Sequence, residues 1–333
     1  MSASSSVPAV TPDPILKLGT GFMAAKHLFV AVELGLFEQL GESRTLDELT
    51  AALGIPRRTA RISVDAMVAV GLVRRDGDRY LNGPEAQVFL SGQGPADLRP
   101  WARFWNRISY GAWQGLDDTL RTGVAAHAGR KFTPEQEEIF SKGVAAVTAG
   151  GANTLANKYE LARHERVLDL GGGTGSFLTA MLAKHPRLGA TLFELPATAE
   201  VARKVLAGTP HAGKVEVIGG DLFTSPIPTG HDLVLLANVV HYFSPGRNLE
   251  LLHRVRGAVA SGARVLLVDF WTDPTHSEPV FAALMAGEFA VLQPEGDVYS
   301  VDEGRAWLAA AGFRAVEHLP LTGPLSCLVA EAR

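Results

Sequence analysis

The sequence predicts an α/β chain: a doubly wound, Rossmann-like domain with a mostly parallel sheet, preceded by a mainly helical winged-helix domain. Three observations carry this expectation. From Arg166 onward, near-continuous apolar stretches alternate with helical ones, as in a sheet covered on both faces. The first of those stretches, "RVLDL", runs straight into "GGGTG" and then an amphipathic run, a strand-to-helix turn with unusual backbone freedom. The first hundred residues read instead as short helices closed by a hairpin.

Composition sets the bounds. With 333 residues, 47% hydrophobic and 20% charged, the chain is long enough for two domains with separate cores. A net charge of -4 provides no global basic field, so neither nucleic acid nor an anionic membrane is the expected partner. The single cysteine, Cys327 in "PLSCLVAEA", cannot form an intramolecular disulfide; it reads as a core strand residue of a protein in a reducing, cytoplasmic setting. No cysteine and histidine cluster has zinc spacing, and no tight carboxylate and histidine group stands near His241, so no metal is expected.

Along the chain, "MSASSSVPAVTP" (1–12) reads as a disordered tail without the marks of a signal peptide. "FMAAKHLFVAVELGLF" is apolar but interrupted by Lys26, His27 and Glu33, and is expected to be a buried helix of a soluble domain. "RTLDELTAALGI" carries a capping box in Thr45 and Glu48 and a terminating Gly54. In "PRRTARISVDAMVAVGL", Ile62, Ala66, Met67 and Val70 recur at helical spacing, and Asp76 and Gly77 suit a tight hairpin turn. This winged helix occupies 13–98. Arg57, Arg58, Arg61, Arg74 and Arg75 would serve DNA phosphates, but Asp65, Asp76 and Asp78 lie among them. The surplus of Ala, Leu and Val points to dimerisation, and a homodimer is expected.

Residues 99–163 read as a helical region lining the substrate space, with Trp101, Phe104, Trp105, Tyr110 and Trp113 crowded together; Trp105 is the ring assigned to the pocket. The catalytic domain is 164–333. Its expected strands are "RVLDL", "ATLFEL", "VEVIGGD", "DLVLLANVV", "ARVLLVDF", "FRAVEHL" and "LSCLVAEA", with ligands at their carboxyl ends.

Gly171, Gly172, Gly173 and Gly175 let main chain approach a ligand closely. A dinucleotide fingerprint starting at Gly171 would place its last glycine where Ser176 stands, so a nicotinamide enzyme fits imperfectly. Glu194 lies 19 residues after Gly175 (194 minus 175) and suits ribose hydroxyls in either class. Asp221 in "GGDLF" ends the third strand, where it can accept from an adenine amino group while Leu222 and Phe223 cover the ring. With Asp169 before the glycines, the set fits S-adenosylmethionine.

"VLDLGGGTG", "FELP", "GGDLF" and "NVVHYFS" behind a winged helix resemble the class I S-adenosylmethionine-dependent small-molecule O-methyltransferases, a family that includes plant caffeate-type enzymes, acetylserotonin methyltransferase and bacterial natural-product tailoring enzymes. The resemblance spans nearly the whole chain from Pro14. It implies a cofactor site of Asp169, Gly171, Gly173, Gly175, Glu194, Leu195, Asp221, Leu222 and Ala237, and a dimerising winged helix. It implies His241 as general base, oriented by Asp269, 28 residues further on (269 minus 241). Two departures stand out. The family's "HDW" is here His241, Tyr242 and Phe243, and "GDVYS" puts Val298 where a glutamate is expected, with Asp297 beside it. A weaker base suits a more acidic acceptor, or a carbon or nitrogen acceptor.

Between Thr275 and Tyr299 a helix is expected over the active site, with Phe281, Met285 and Phe289 toward the acceptor. The sequence thus points to a methyltransferase of small aromatic hydroxyl compounds. A cofactor-sensing transcription factor and a nicotinamide oxidoreductase are the competing readings.

Overall fold

A computed structural model describes residues 10–129 and 131–333; the expected tail lies, for residues 1–9, outside them. Two compact units emerge, the first ending at Arg107 and the second beginning at Ile108.

In the first unit, β1 (Arg44–Thr45), β2 (Val73–Asp76) and β3 (Arg79–Asn82) form an antiparallel sheet in the order β1-β3-β2. Thr45 caps the helix Leu46–Leu53 through a full capping box with Glu48, and Gly54 ends it in the left-handed conformation at φ 64°. Gly77, at φ 59°, supplies the turn between β2 and β3.

Two expectations fail here. The helix Arg57–Ala69 buries Ala60, Ser63, Val64 and Met67, while Ile62 and Val70 are exposed. Of the expected face Met67 is buried and Ala66 half-buried, so the stripe is turned toward Ala60 and Val64 and only Ile62 and Val70 fall outside it. The helix Asp13–Glu33 is not buried either: only Phe29, Ala31 and Val32 are, whereas Ile15 is 74% and Leu18 83% exposed. Phe22, Met23, Val30, Ile55 and Ile62 line an apolar groove beside it. By length and composition alone this helix is long and apolar enough to cross a membrane, a criterion that helices of soluble proteins also meet. Of the arginines considered for phosphate contact, Arg57 pairs with Asp47, and Arg61 and Arg75 with Asp65.

The second unit is built on a seven-stranded sheet in the order β6-β5-β4-β7-β8-β10-β9. Its strands are β4 (Arg166–Leu170), β5 (Gly189–Glu194), β6 (Val215–Gly219), β7 (Leu233–Ala237), β8 (Arg264–Asp269), β9 (Phe313–Pro320) and β10 (Ser326–Ala332). β4 to β8 are mutually parallel, and β10 runs antiparallel to both β8 and β9. The reason is the short connection after Pro320, which can make a hairpin but not the crossover a parallel pair needs. β7 is buried along its whole length, as expected of a central strand covered on both faces. Leu168, Leu170, Val234, Leu236, Val265 and Leu267 share one core cluster with Leu252 and Val255 of the helix Pro245–Ala258 and with Trp271 and Trp307. Parallel register brings the carboxyl ends of β4, β5, β6, β7 and β8 to one edge of the sheet, which is where the candidate site lies.

Candidate active site

At that edge a cavity of about 510 Å³ opens, within the range of small-molecule sites. Asp169, Gly171, Gly173, Glu194, Leu195, Asp221, Leu222 and Ala237 all line it, drawn from the ends of four strands. Phe140, Val144 and Thr148 of the helix Pro134–Lys158 form a further wall.

The glycine turn is shaped for close approach. Gly171 and Gly173 sit at φ 70° and 55°, and a Cβ on Gly171 would come within 2.9 Å of Val239 Cγ2. Gly173 N donates to Glu194 Oε2 at 3.0 Å and Leu195 N to Glu194 Oε1 at 2.8 Å, fixing this carboxylate at the end of β5. Asp221 Oδ1 accepts from the amides of Phe223 and Thr224 and from the Thr224 hydroxyl; the Phe223 amide leads in holding its carboxyl below the usual range. Beyond it Phe243 packs edge-on against Phe223, with the Arg247 guanidinium 3.6 Å from the Phe223 ring centre.

Asp169 differs from these carboxylates. It is buried, neither carboxyl oxygen has a hydrogen-bond partner among the described residues, and burial together with the nearby Glu194 charge pushes its pKa up to about 8. A buried carboxyl without donors is costly, and it lines the cavity. These features fit S-adenosylmethionine: a carboxylate at the end of β5, a second after β6, a cradle without β-carbons and an unsatisfied acid suited to a donor-bearing or cationic group.

Next to the cavity, β7 ends in Asn238, at φ 56° with its buried Oδ1 unpartnered, and the short helical turn Val240–Tyr242 follows. His241 is 4% exposed. Its Nδ1 lies 2.7 Å from Asp269 Oδ1 at the end of β8, and Asp269 Oδ1 also accepts from Phe270 N. This pairing places the proton on Nδ1 and leaves the Nε2 lone pair without a protein partner. The imidazole stacks on Phe289 at 3.9 Å and 12°, and touches Tyr242 at 4.4 Å. Tyr242 itself lines the cavity, its hydroxyl raised to about 12 by burial and then by the charges of Asp269, Glu194 and Glu288.

The chain after the helix Val280–Leu292 is stitched to this turn. Asp297 N donates to His241 O, Tyr299 Oη to Phe243 O, and Ser244 N and Oγ to Glu295 Oε2. Val298 is buried and Asp297 exposed, with the Asp297 carboxyl folded back onto the Val298 amide. Asp297 therefore does not take the place of the missing glutamate, and the segment that carries it is a loop.

The profile of the O-methyltransferase domain matches residues 115–314, and that of the O-methyltransferase dimerisation domain matches residues 16–92. The chain belongs to the O-methyltransferase family. As a member it is an S-adenosylmethionine-dependent enzyme of the natural-product type, acting on small molecules and carrying a dimerisation domain in its first unit. It is 31% identical over 321 residues to the tetracenomycin polyketide synthesis 8-O-methyl transferase TcmO of Streptomyces glaucescens, and 30% identical over 325 residues to the N,N-dimethyltransferase OxyT of Streptomyces rimosus, covering 94% of both chains in each case. Among solved structures, the S-adenosylmethionine-dependent methyltransferase SibL superposes with TM-score 0.81 at 30% identity, covering 97% of this chain and 99% of that one. Human N-acetylserotonin methyltransferase, with TM-score 0.87 at 22% identity and 100% and 99% coverage, shares the fold.

Several assigned residues of this O-methyltransferase lie elsewhere than expected. Gly175 does not line the cavity; it caps the helix Ser176–Lys184 at φ 84°, and a Cβ there would press on Leu192 and Leu206, so its smallness serves helix-to-sheet packing. Phe281 is 41% exposed, its ring centre 6.1 Å from that of Phe270, and it lies one turn nearer the helix start than the buried Met285. Met285 and Phe289 are buried, and Phe289 is the residue on the imidazole. Trp105 falls in the first unit, edge-on to Trp101 and Phe104. From the same aromatic cluster it is Trp113 that reaches the helix Val280–Leu292, its ring 3.0 Å from where a Cβ on Gly287 would stand. Asn238, Tyr242 and Glu288 were not among the site residues the sequence pointed to. Asn238 alone carried a signal, an asparagine at a strand end being suited to positive φ.

Proposed function

We propose that the enzyme methylates a hydroxyl group of a small aromatic natural product, with His241 as general base. The observation that carries this reading is the Asp269–His241 pair, buried and 2.7 Å apart, with Nε2 left free. S-adenosylmethionine, when bound, supplies a methyl group on a positively charged sulfur, so the chain has to hold the acceptor in line and remove its proton. Nε2 accepts the hydroxyl proton, and Asp269 steadies the imidazolium that results. Glu194 holds ribose hydroxyls, Asp221 and Leu222 the adenine, and Asp169 a donor or cation on the amino-acid portion. Phe289, Phe270, Tyr242 and Trp113 supply flat walls, which suit an aromatic ring. Support also comes from the relatives: besides TcmO, a 3-hydroxy-5-methyl-1-naphthoate 3-O-methyltransferase of Streptomyces sahachiroi is 30% identical over 324 residues, with 94% of this chain and 92% of that one covered.

A second reading, transfer to nitrogen, draws on OxyT and on Val298, which leaves His241 with a single carboxylate partner. An amine acceptor asks less of a base than a phenol does.

The test is His241→Ala. Turnover of a phenolic acceptor is expected to fall by roughly 10² to 10⁴, the usual worth of a positioned base, with binding of S-adenosylhomocysteine unchanged. Full turnover in that variant removes His241 from the chemistry.

A further inference from the structure

Glu288 is 2% exposed, one of the few acids in the described chain to be shut away from water. It occupies the middle of the helix Val280–Leu292, where every neighbour is apolar or glycine. Its Oε2 accepts two hydrogen bonds, from Ser109 Oγ at 2.6 Å and from Trp113 Nε1. Its Oε1 is buried and has no partner among the described residues. Burial raises its pKa, against the two donors.

A carboxylate that only braced Trp113 and Ser109 would be met equally well by a glutamine or a neutral acceptor; leaving one oxygen buried and empty costs about 1–3 kcal/mol. The position says what that oxygen is for. The next residue, Phe289, lies flat on His241, and Glu288 itself is drawn to Ser109 Oγ and Trp113 Nε1, so it faces the protein interior on the helix that carries a ring against the imidazole.

We propose that Glu288 Oε1 is an acceptor-selecting group, receiving an N–H or O–H donor that a flat aromatic acceptor carries away from the atom to be methylated. The inference rests on the aromatic-acceptor reading above and adds a requirement to it: the acceptor bears an amino or hydroxyl substituent on its ring system. Trp113 Nε1 is a donor only, so it fixes which oxygen points outward. In Glu288→Gln the amide oxygen stays on Trp113 and Ser109, and the NH₂ turns to the free position. The variant keeps shape and bracing but exchanges an acceptor for a donor.

Binding is measured by calorimetry with S-adenosylhomocysteine present, using naphthols that carry an amino or a methoxy group at matched ring positions. The native enzyme is expected to favour the best amino isomer over its methoxy counterpart by about tenfold or more, the worth of a hydrogen bond to a charged group. Glu288→Gln is expected to reverse that order with S-adenosylhomocysteine affinity unchanged. Equal affinities within every pair, or affinity for none of the naphthols, overturn the proposal. Should the variant not fold, the native ranking alone decides. Methylation of an unsubstituted naphthol, followed separately, reports on the general-base reading, so the two fail independently.

Discussion

Asp169 lets one prediction be worked through. Burial, and after it the Glu194 charge, pushes its carboxyl from the ordinary 3.8 up to about 8 in the folded protein. The native state therefore holds a proton that the unfolded chain releases, and stability falls as pH rises between these two values. Both pH 5 and pH 7 lie inside that window. At a little over 1 kcal/mol per pH unit, this one group removes roughly 3 kcal/mol of stability from the ligand-free protein between them. Asp169→Asn is neutral throughout and has a similar shape, so it escapes this loss. Urea denaturation followed by circular dichroism at both pH values should show the stability gap between variant and native protein widening by about 2–3 kcal/mol toward pH 7. A gap that stays constant within 1 kcal/mol refutes the reasoning. The same acid should lose its proton when a cation arrives, so S-adenosylhomocysteine binding at pH 7 should release protons from the native enzyme, seen as a dependence of binding heat on buffer, and release fewer from Asp169→Asn.

Other outcomes follow from the same geometry. Gly171→Ala combines a residue at φ 70° with a Cβ 2.9 Å from Val239 Cγ2, and should weaken S-adenosylhomocysteine binding about tenfold in calorimetry while the fold persists. Leu18→Asp with Phe22→Asp places charges on the exposed apolar face of the helix Asp13–Glu33, and light scattering should show a dimer becoming a monomer. Cys327 is fully buried and its thiol is pushed up by burial, so a thiol reagent should label it only on unfolding, with the labelling rate tracking the loss of circular dichroism.

Much of the catalytic unit was readable because its signals are local. Strands buried on both faces show as unbroken apolar runs, and a carboxylate at the end of such a run, as in Asp169 or Glu194, stands out against them. The glycines of the first turn likewise announce backbone that side chains would obstruct. What the sequence concealed depends on which side of an element faces in. The helix Val280–Leu292 is apolar all round, so nothing in its pattern says that its one acid, Glu288, points inward. Arg57–Ala69 offers a broad apolar surface, and only tertiary packing buries Val64 beside Met67 and leaves Ile62 out. Among five crowded aromatic rings, the choice of Trp113 over Trp105 turned on Gly287, some 170 residues away (287 minus 113 is 174), whose missing side chain makes room for one of them.

The loop that follows the helix over the site is fastened to the turn bearing His241 by the Asp297, Tyr299 and Glu295 hydrogen bonds. The same helix is held in its middle by the Glu288 bonds to Ser109 and Trp113 and lays Phe289 flat on the imidazole. Wall and base thus share one set of fastenings, and a substitution that loosens the cover also loosens the proton acceptor.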